Sequence, residues 1–211
     1  MEVVFCDNHI LIVEKEAGMP TQKTEGAPID VETLAKKWVK EKFKKKGDVF
    51  LHAVHRLDSV VSGLVLFART SKALSRLNEQ MRERKIKKIY VAKVEGVLKE
   101  EEGTFKHFLR HGDFRAHVVP QNHPEAKEAV LTYRILKRGG DKTLVEITLL
   151  TGRYHQIRAQ FSQMGHPVVG DKKYGSKTSS KAICLHHSRL EFTHPVTLEP
   201  LIFESPVPFK N

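Results

Sequence analysis

The chain is poor in cysteine and has no recognisable metal-ligand spacing. Its 211 residues include two cysteines, Cys6 and Cys184, which lie far apart and form neither a CxxC nor a CxxH pattern. This argues against a disulfide framework and against a cysteine-based zinc site. The 12 histidines contain no HExxH pattern. We therefore predict no metal site, and thiols of this kind suit the reducing cytoplasm.

Long apolar runs, repeats and low-complexity tracts are also missing. No apolar segment approaches the length that a membrane-spanning helix needs. The N-terminus, MEVVFCDNHI, opens with an acidic residue and breaks at Asp7-Asn8, which is unlike a signal peptide. We expect no membrane association. No composition shift marks a linker, so we expect residues 1–211 to form a single domain.

Basic residues are present in clear excess. There are 36 Lys and Arg against 25 Asp and Glu, for a formal net charge of +11. Such an excess is typical of proteins that bind polyanions, and nucleic acid is the leading candidate. Charge alone leaves an acidic membrane surface or a small phosphorylated substrate open.

The periodicity of the chain predicts an α+β fold with a mainly antiparallel sheet. Alternating segments follow one another through short turns, and a few helices are inserted between them. We predict a helix from an Asp30 cap to about Lys45, a second helix capped by Ser71, and a third from Tyr154 to Met164. The alternating segments predicted as strands include Lys88–Val97, Ala129–Leu136, Thr143–Leu150, Ala182–His186 and Arg189–Phe192, and Thr104–Pro120 is predicted as a hairpin around His111-Gly112-Asp113.

A charged cluster directly precedes the most apolar run of the chain. His55, Arg56 and Asp58 stand before Leu64–Ala68, which has the composition of a strand buried on both faces. A carboxylate two residues from a guanidinium is biased toward the ionised form that a nucleophile or general base needs. The alternative is an ordinary surface pair of Asp58 with Arg56.

A second polar cluster follows a predicted strand at Thr151–Gly175. In the predicted helix, His155 and Arg158 fall in the first turn, where two cations oppose the helix dipole. A nearby carboxylate or phosphate would explain them, and we predict that Arg158 pairs with Asp58. Tyr90, on the Lys88–Val97 strand, is either a core residue or an aromatic platform for a base.

Together these segments resemble the RluA-type pseudouridine synthases. The resemblance covers about residues 7–203 and keeps the order and spacing of the motifs. Two positions depart from the usual pattern. Val61 stands where Thr is common, and Tyr154 stands where Thr or Ser is common. The matching segments are His55-Arg56-Leu57-Asp58, Ser62-Gly63-Leu64, Tyr90 in KIYVAKVEG, Thr151–Arg158, Gly165-His166-Pro167 and Gly170-Asp171.

The resemblance implies an isomerase that converts uridine in RNA to its C-glycoside without a cofactor or metal. It also implies the pseudouridine synthase fold with a central RNA-binding cleft. Asp58 would be the essential carboxylate, Tyr90 would stack on the target base, and Arg158 would pair with Asp58. The residues expected to contact RNA or support the motifs are His55, Arg56, Arg153, His155 and Gln156.

The resemblance also guides the expected substrate. Many relatives carry an N-terminal RNA-binding domain of the S4 type, whereas the first strand predicted here begins within a few residues of Met1. We therefore expect the catalytic domain itself to recognise a stem-loop in tRNA or rRNA. We also expect a monomer. The alternative is a non-catalytic RNA-binding or RNA-chaperone module that retains the fold.

Overall fold

The computed structural model describes residues 1–209, which form two compact units. One unit comprises Met1–Ile86 and His187–Ser205, and the other comprises Lys87–His186 and the described residues after Ser205. In chain order the elements are β1 (Glu2–Cys6), β2 (Ile10–Lys15), α1 (Val31–Lys42), β3 (His52–Ala53), β4 (Ser62–Ala68), α2 (Ser71–Arg82), β5 (Lys87–Glu95), β6 (Glu102–His111), β7 (Ala116–Val119), β8 (Lys127–Gly139), β9 (Lys142–Leu149), α3 (Gln156–Gln163), a 3-10 turn (Lys172–Tyr174), β10 (Leu185–Thr193) and β11 (Pro200–Glu204).

In the first unit the strands follow the order β1, β2, β4, β10, with β3 beside β4 and β11 beside β10. β2 and β4 pair antiparallel along their whole lengths, from Ile10 opposite Ala68 to Lys15 opposite Gly63. Six of the seven residues of β4 are buried. Helix α2 covers the sheet with Ala73 and Leu77, which pack into the same apolar core as the strands. This burial fixes the strand that follows the charged cluster at Asp58.

One glycine is required where β4 meets β10. Gly63 has φ +118°, and a Cβ built there would lie 2.3 Å from the carbonyl oxygen of His187. No side chain fits that space, because real Cβ contacts do not become so short. The His187 ring also hydrogen-bonds the neighbouring Leu64 carbonyl oxygen through Nδ1 at 2.6 Å.

In the second unit the strands follow the order β5, β9, β8, β6, β7, and each neighbouring pair is antiparallel. Helix α3 packs on this sheet through Phe161, whose ring meets Phe105 edge-on at 5.0 Å between centroids. Tyr133 joins the same aromatic group, with its ring 5.0 Å from that of Phe105. The sheet therefore holds α3, which carries Arg158, in a fixed position.

The mainly antiparallel α+β prediction is confirmed, and the differences are at element ends. The first helix ends at Lys42 rather than near Lys45, and the two predicted strands at 182–186 and 189–192 are one strand, β10. Helix α3 begins at Gln156 rather than Tyr154. In residues 1–209 no helix is both long and apolar enough to cross a membrane.

The N-cap of α2 is Thr70, not Ser71 as predicted. The Thr70 side chain accepts a hydrogen bond from the Ala73 amide at 3.1 Å, and Ser71 is the first helical residue. Two neighbouring hydroxyl residues have the same capping chemistry. The backbone decides between them, because only the residue in the extended conformation can present its oxygen to the first turn.

We expect Thr70→Ala to lower the free energy of unfolding by about 1 kcal/mol, because an amide of the first turn loses its acceptor. The neighbouring Ser71→Ala is the matched control and should change the free energy by less than about 0.5 kcal/mol. Urea unfolding of both variants measures the difference. Equal effects would contradict the cap assignment.

Candidate active site

The loop that carries Asp58 is held by a buried threonine from a distant part of the chain. The Thr21 hydroxyl accepts a hydrogen bond from the Leu57 amide at 3.0 Å and donates one to the Leu57 carbonyl at 2.9 Å. Thr21 is 2% exposed. Directly after Leu57, the Val61 amide donates a hydrogen bond to the Asp58 carbonyl and closes a turn. Asp58 is therefore a half-buried carboxylate on a loop with a fixed backbone.

A buried lysine supports the same loop. Lys15 is fully buried, and its ammonium donates to the carbonyl oxygens of Met19 at 2.7 Å, Glu16 at 3.0 Å and Ser59 at 3.0 Å. Burial lowers the pKa of Lys15 to about 8, and the Asp58 carboxylate acts in the opposite direction. Lys15 thus ties the end of β2 to the residue after Asp58 and adds a positive charge to the surroundings of this carboxylate.

The two residues before Leu57 face opposite ways. Arg56 is exposed, whereas His55 is buried and its Nε2 accepts a hydrogen bond from the Leu66 amide of β4 at 3.3 Å. The His55 ring also meets the His187 ring edge-on at 5.3 Å. His55 therefore braces the loop against β4, and Arg56 is the member of the pair that faces solvent.

Arg158 forms a buried, bidentate ion pair with Asp171. Its Nε lies 2.6 Å from Oδ2 and its Nη2 lies 3.0 Å from Oδ1, and both side chains are at most 5% exposed. The guanidinium also lies over the Tyr174 ring at 5.0 Å. Sequence reasoning included Asp171 in a motif but did not recognise it as a partner of Arg158. The pairing of Arg158 with Asp58 stays a prediction.

His155 is not in the first turn of the helix, as predicted, but precedes it as the N-cap. It has a left-handed backbone with φ 51° and makes no side-chain cap. Its Nδ1 lies 3.0 Å from the Tyr174 hydroxyl. Burial, assisted by the Arg158 charge, lowers the pKa of His155 to about 3. The imidazole is therefore neutral at pH 7, and the predicted pair of cations at this helix end is reduced to Arg158.

Gln156 locks the turn that leads into α3. Its Oε1 accepts from the Thr151 hydroxyl at 2.8 Å and from the Arg153 amide at 2.9 Å, while its Nε2 donates to the Val130 carbonyl at 3.1 Å. Arg153 is exposed, and its Nε donates to the Glu128 carbonyl at 2.8 Å. The turn is thus fixed by the protein's own contacts.

Two aromatic residues occupy defined positions in this unit. Tyr90 lies on β5 opposite Ile147 and is 5% exposed. Tyr154, a departure from the family pattern, stacks on the His155 ring at 3.8 Å between centroids and meets the His111 ring in a tilted contact at 4.2 Å. The larger residue at this position therefore extends the packing around the α3 cap.

We expect Thr21→Val to lower the free energy of unfolding by about 1–3 kcal/mol, because the change leaves the amide and carbonyl of Leu57 without their buried partner. The control is Thr24→Val in the exposed part of the same loop. Chemical denaturation of both variants gives the difference. A loss no greater than in the control would show that Thr21 does not hold the loop.

The low pKa of His155 predicts a specific pH dependence of stability. Between pH 6.5 and about 3 the unfolded chain binds a proton at His155 that the folded chain does not, so the free energy of unfolding falls as the pH is lowered. His155→Asn, which tolerates the left-handed backbone, should remove this contribution. The pH slope should become shallower by at most about 1.4 kcal/mol per pH unit. An unchanged slope in denaturation series across this range would contradict the prediction.

Comparison with known proteins agrees with the motifs and the fold. The family model for RNA pseudouridylate synthase matches residues 9–163. The dual-specificity RNA pseudouridine synthase RluA of Pasteurella multocida is 35% identical over 225 residues, which cover 99% of this chain and 94% of that protein. The ribosomal large subunit pseudouridine synthase C of Salmonella typhimurium is 33% identical, with 97% and 66% covered.

The fold is shared with a solved human structure, RNA pseudouridylate synthase domain containing 4. The TM-score is 0.83 at 22% identity, covering 98% of this chain and 88% of the human one. The expected fold and the resemblance to RluA-type proteins are both confirmed. The chain belongs to the RluA-type RNA pseudouridylate synthase family and is an RNA pseudouridine synthase, an intramolecular isomerase that modifies uridine in RNA.

Proposed function

We propose that this enzyme modifies a uridine in a stem-loop of tRNA or ribosomal RNA, with Asp58 as the essential carboxylate. The observation that carries the proposal is the support of the Asp58 loop. Thr21 and Lys15 hold its backbone from both sides of Asp58 through buried hydrogen bonds. Reacting groups need positions fixed in this way by surrounding contacts.

The names of the relatives support structured RNA as the substrate. The Pasteurella multocida protein is described as a dual-specificity enzyme, and the Salmonella typhimurium protein as acting on the ribosomal large subunit. Both descriptions fit an enzyme that recognises the shape of a stem-loop and a few unstacked bases. The net charge of +11 favours such a polyanion.

The proposed roles follow the family motifs. Asp58 either attacks the ribose carbon that bears the base or assists elimination of the base, and both routes use the ionised carboxylate. Tyr90 stacks on the target base, and Arg158, oriented by Asp171, pairs with the essential carboxylate. Because a base inside a duplex is inaccessible to a side chain, the target uridine must flip out, at a cost of a few kcal/mol that is smallest in loops.

The remaining motif residues divide by their exposure. Arg56 and Arg153 are exposed and are proposed to contact RNA directly. His55, His155 and Gln156 are buried and form hydrogen bonds within the protein. The resemblance allowed either RNA contact or support of the motifs for these residues, and we assign them the support of the motifs. Their contribution to RNA binding is to hold the loops that carry the exposed arginines.

The proposal is tested by incubating unmodified tRNA and ribosomal RNA transcripts with the wild type, Asp58→Asn and the control Asp48→Asn, followed by nucleoside analysis. Asp48 is an exposed carboxylate in the same unit. We expect pseudouridine from the wild type and from the control, and none from Asp58→Asn although it still binds RNA. Activity in Asp58→Asn would contradict the assignment of this residue. Modification confined to assembled ribosomal subunits would contradict stem-loop recognition.

A further inference from the structure

Lys88 is a buried lysine whose ammonium has no partner within the described part of the chain. It is the second residue of β5 and is 8% exposed. Burial lowers its pKa, with no opposing carboxylate nearby. Residues 1–209 provide neither a hydrogen-bond acceptor nor an opposite charge for its Nζ. Most of this side chain is out of water, but its Nζ keeps some contact with solvent, so the charge is only partly hydrated and an anion from outside can reach it.

The other deeply buried lysine shows how the protein satisfies such a group when the lysine is structural. Lys15 has three carbonyl acceptors within 3.0 Å. Lys88 lacks them, although it is buried nearly as deeply. The contrast indicates that the partner of Lys88 is an anion supplied from outside the chain.

A glycine lies beside the Lys88 ammonium. The Nζ lies beside Gly152, and a Cβ at this glycine would come within 3.3 Å of it. Gly152 is exposed and begins the turn that Gln156 locks through Thr151 and Arg153. A larger residue at this position would crowd the ammonium. The turn beside the ammonium is therefore fixed by the protein's own hydrogen bonds.

Lys88 also lies on the same face of β5 as Tyr90. Residues two apart on a strand share a face and stand about 7 Å from each other. A nucleotide whose base stacks on Tyr90 would thus bring its own or an adjacent phosphate near Lys88. A compact ammonium suits a single phosphate oxygen, and phosphates are the anions that every RNA presents.

We propose that Lys88, beside Gly152, binds one backbone phosphate of the substrate RNA next to the target uridine. The proposal rests on the proposed role of Tyr90. It adds a phosphate-binding residue two positions before that tyrosine, on the same strand. The buried ammonium is then retained for binding RNA, at a cost to the stability of the free protein.

The test compares Lys88→Met with the control Lys87→Met, which removes the same charge from the neighbouring exposed position. Binding is measured in the Asp58→Asn background, so that no turnover occurs. The RNAs are a set of stem-loops, each with a single uncharged methylphosphonate at one position around the target uridine. The dissociation constant of each protein for each RNA is determined at several salt concentrations.

We expect Lys88→Met to weaken binding of the unmodified RNA about 10-fold or more. The plot of the logarithm of the binding constant against the logarithm of the salt concentration should become less steep by about 0.7, the value for the loss of one phosphate contact to a single strand. One methylphosphonate position should weaken binding to the protein that retains Lys88 by a similar factor. The same methylphosphonate should not weaken binding to Lys88→Met any further, because the contact is already lost. Lys87→Met should retain the full effect of that methylphosphonate. The proposal would be overturned if, at every methylphosphonate position, the loss of affinity were the same in Lys88→Met as in the protein that retains Lys88.

Thermal unfolding provides the second readout. Lys88→Met removes an unpartnered buried charge, so the melting temperature of the free protein should be unchanged or higher. A lower melting temperature would overturn the proposal, because the ammonium would then have a structural partner. If the coupling to one phosphate is found while no transcript is converted, the phosphate site stands and the proposed substrate fails.

Discussion

Burial of β4 on both faces is the constraint on which the unit carrying Asp58 depends. The strand is paired with β2 over its whole length and approaches β10 so closely that only glycine fits at position 63. A strand enclosed in this way cannot shift its register without exposing apolar side chains or breaking backbone hydrogen bonds. The loop before β4 therefore has a fixed end, and Asp58 lies four residues before that strand begins.

Buried polar groups then set the details of the two motif loops. Thr21 and Lys15 satisfy the backbone on either side of Asp58, and Asp171 neutralises Arg158 in the other unit. Each of these groups is costly to bury alone and becomes stable only with its partner. Such contacts are directional, so they fix loop geometry in a way that apolar packing does not. Lys88 differs from them because residues 1–209 offer its ammonium no partner.

Fold class and family were within reach of the sequence because they depend on local signals. Alternation predicted the strands of the second unit, and the apolar run predicted β4. The boundaries were less certain: Thr70 and Ser71 are chemically equivalent caps, and only the backbone conformation distinguishes them. His155 illustrates the same limit. Its sequence position suggested a cation in a helical turn, whereas burial makes it neutral and its left-handed backbone places it before the helix.

The sequence by itself determined the residues that we propose to carry the chemistry of this family: a carboxylate before a buried strand, a tyrosine on an alternating strand, and an arginine in the TGRYHQIR segment. Only the tertiary structure decided what supports them. Thr21 is 36 residues from Leu57, and Asp171 is 13 residues from Arg158. No periodicity links such pairs, because long-range hydrogen bonds and the loss of water around a buried charge arise only when the chain has folded.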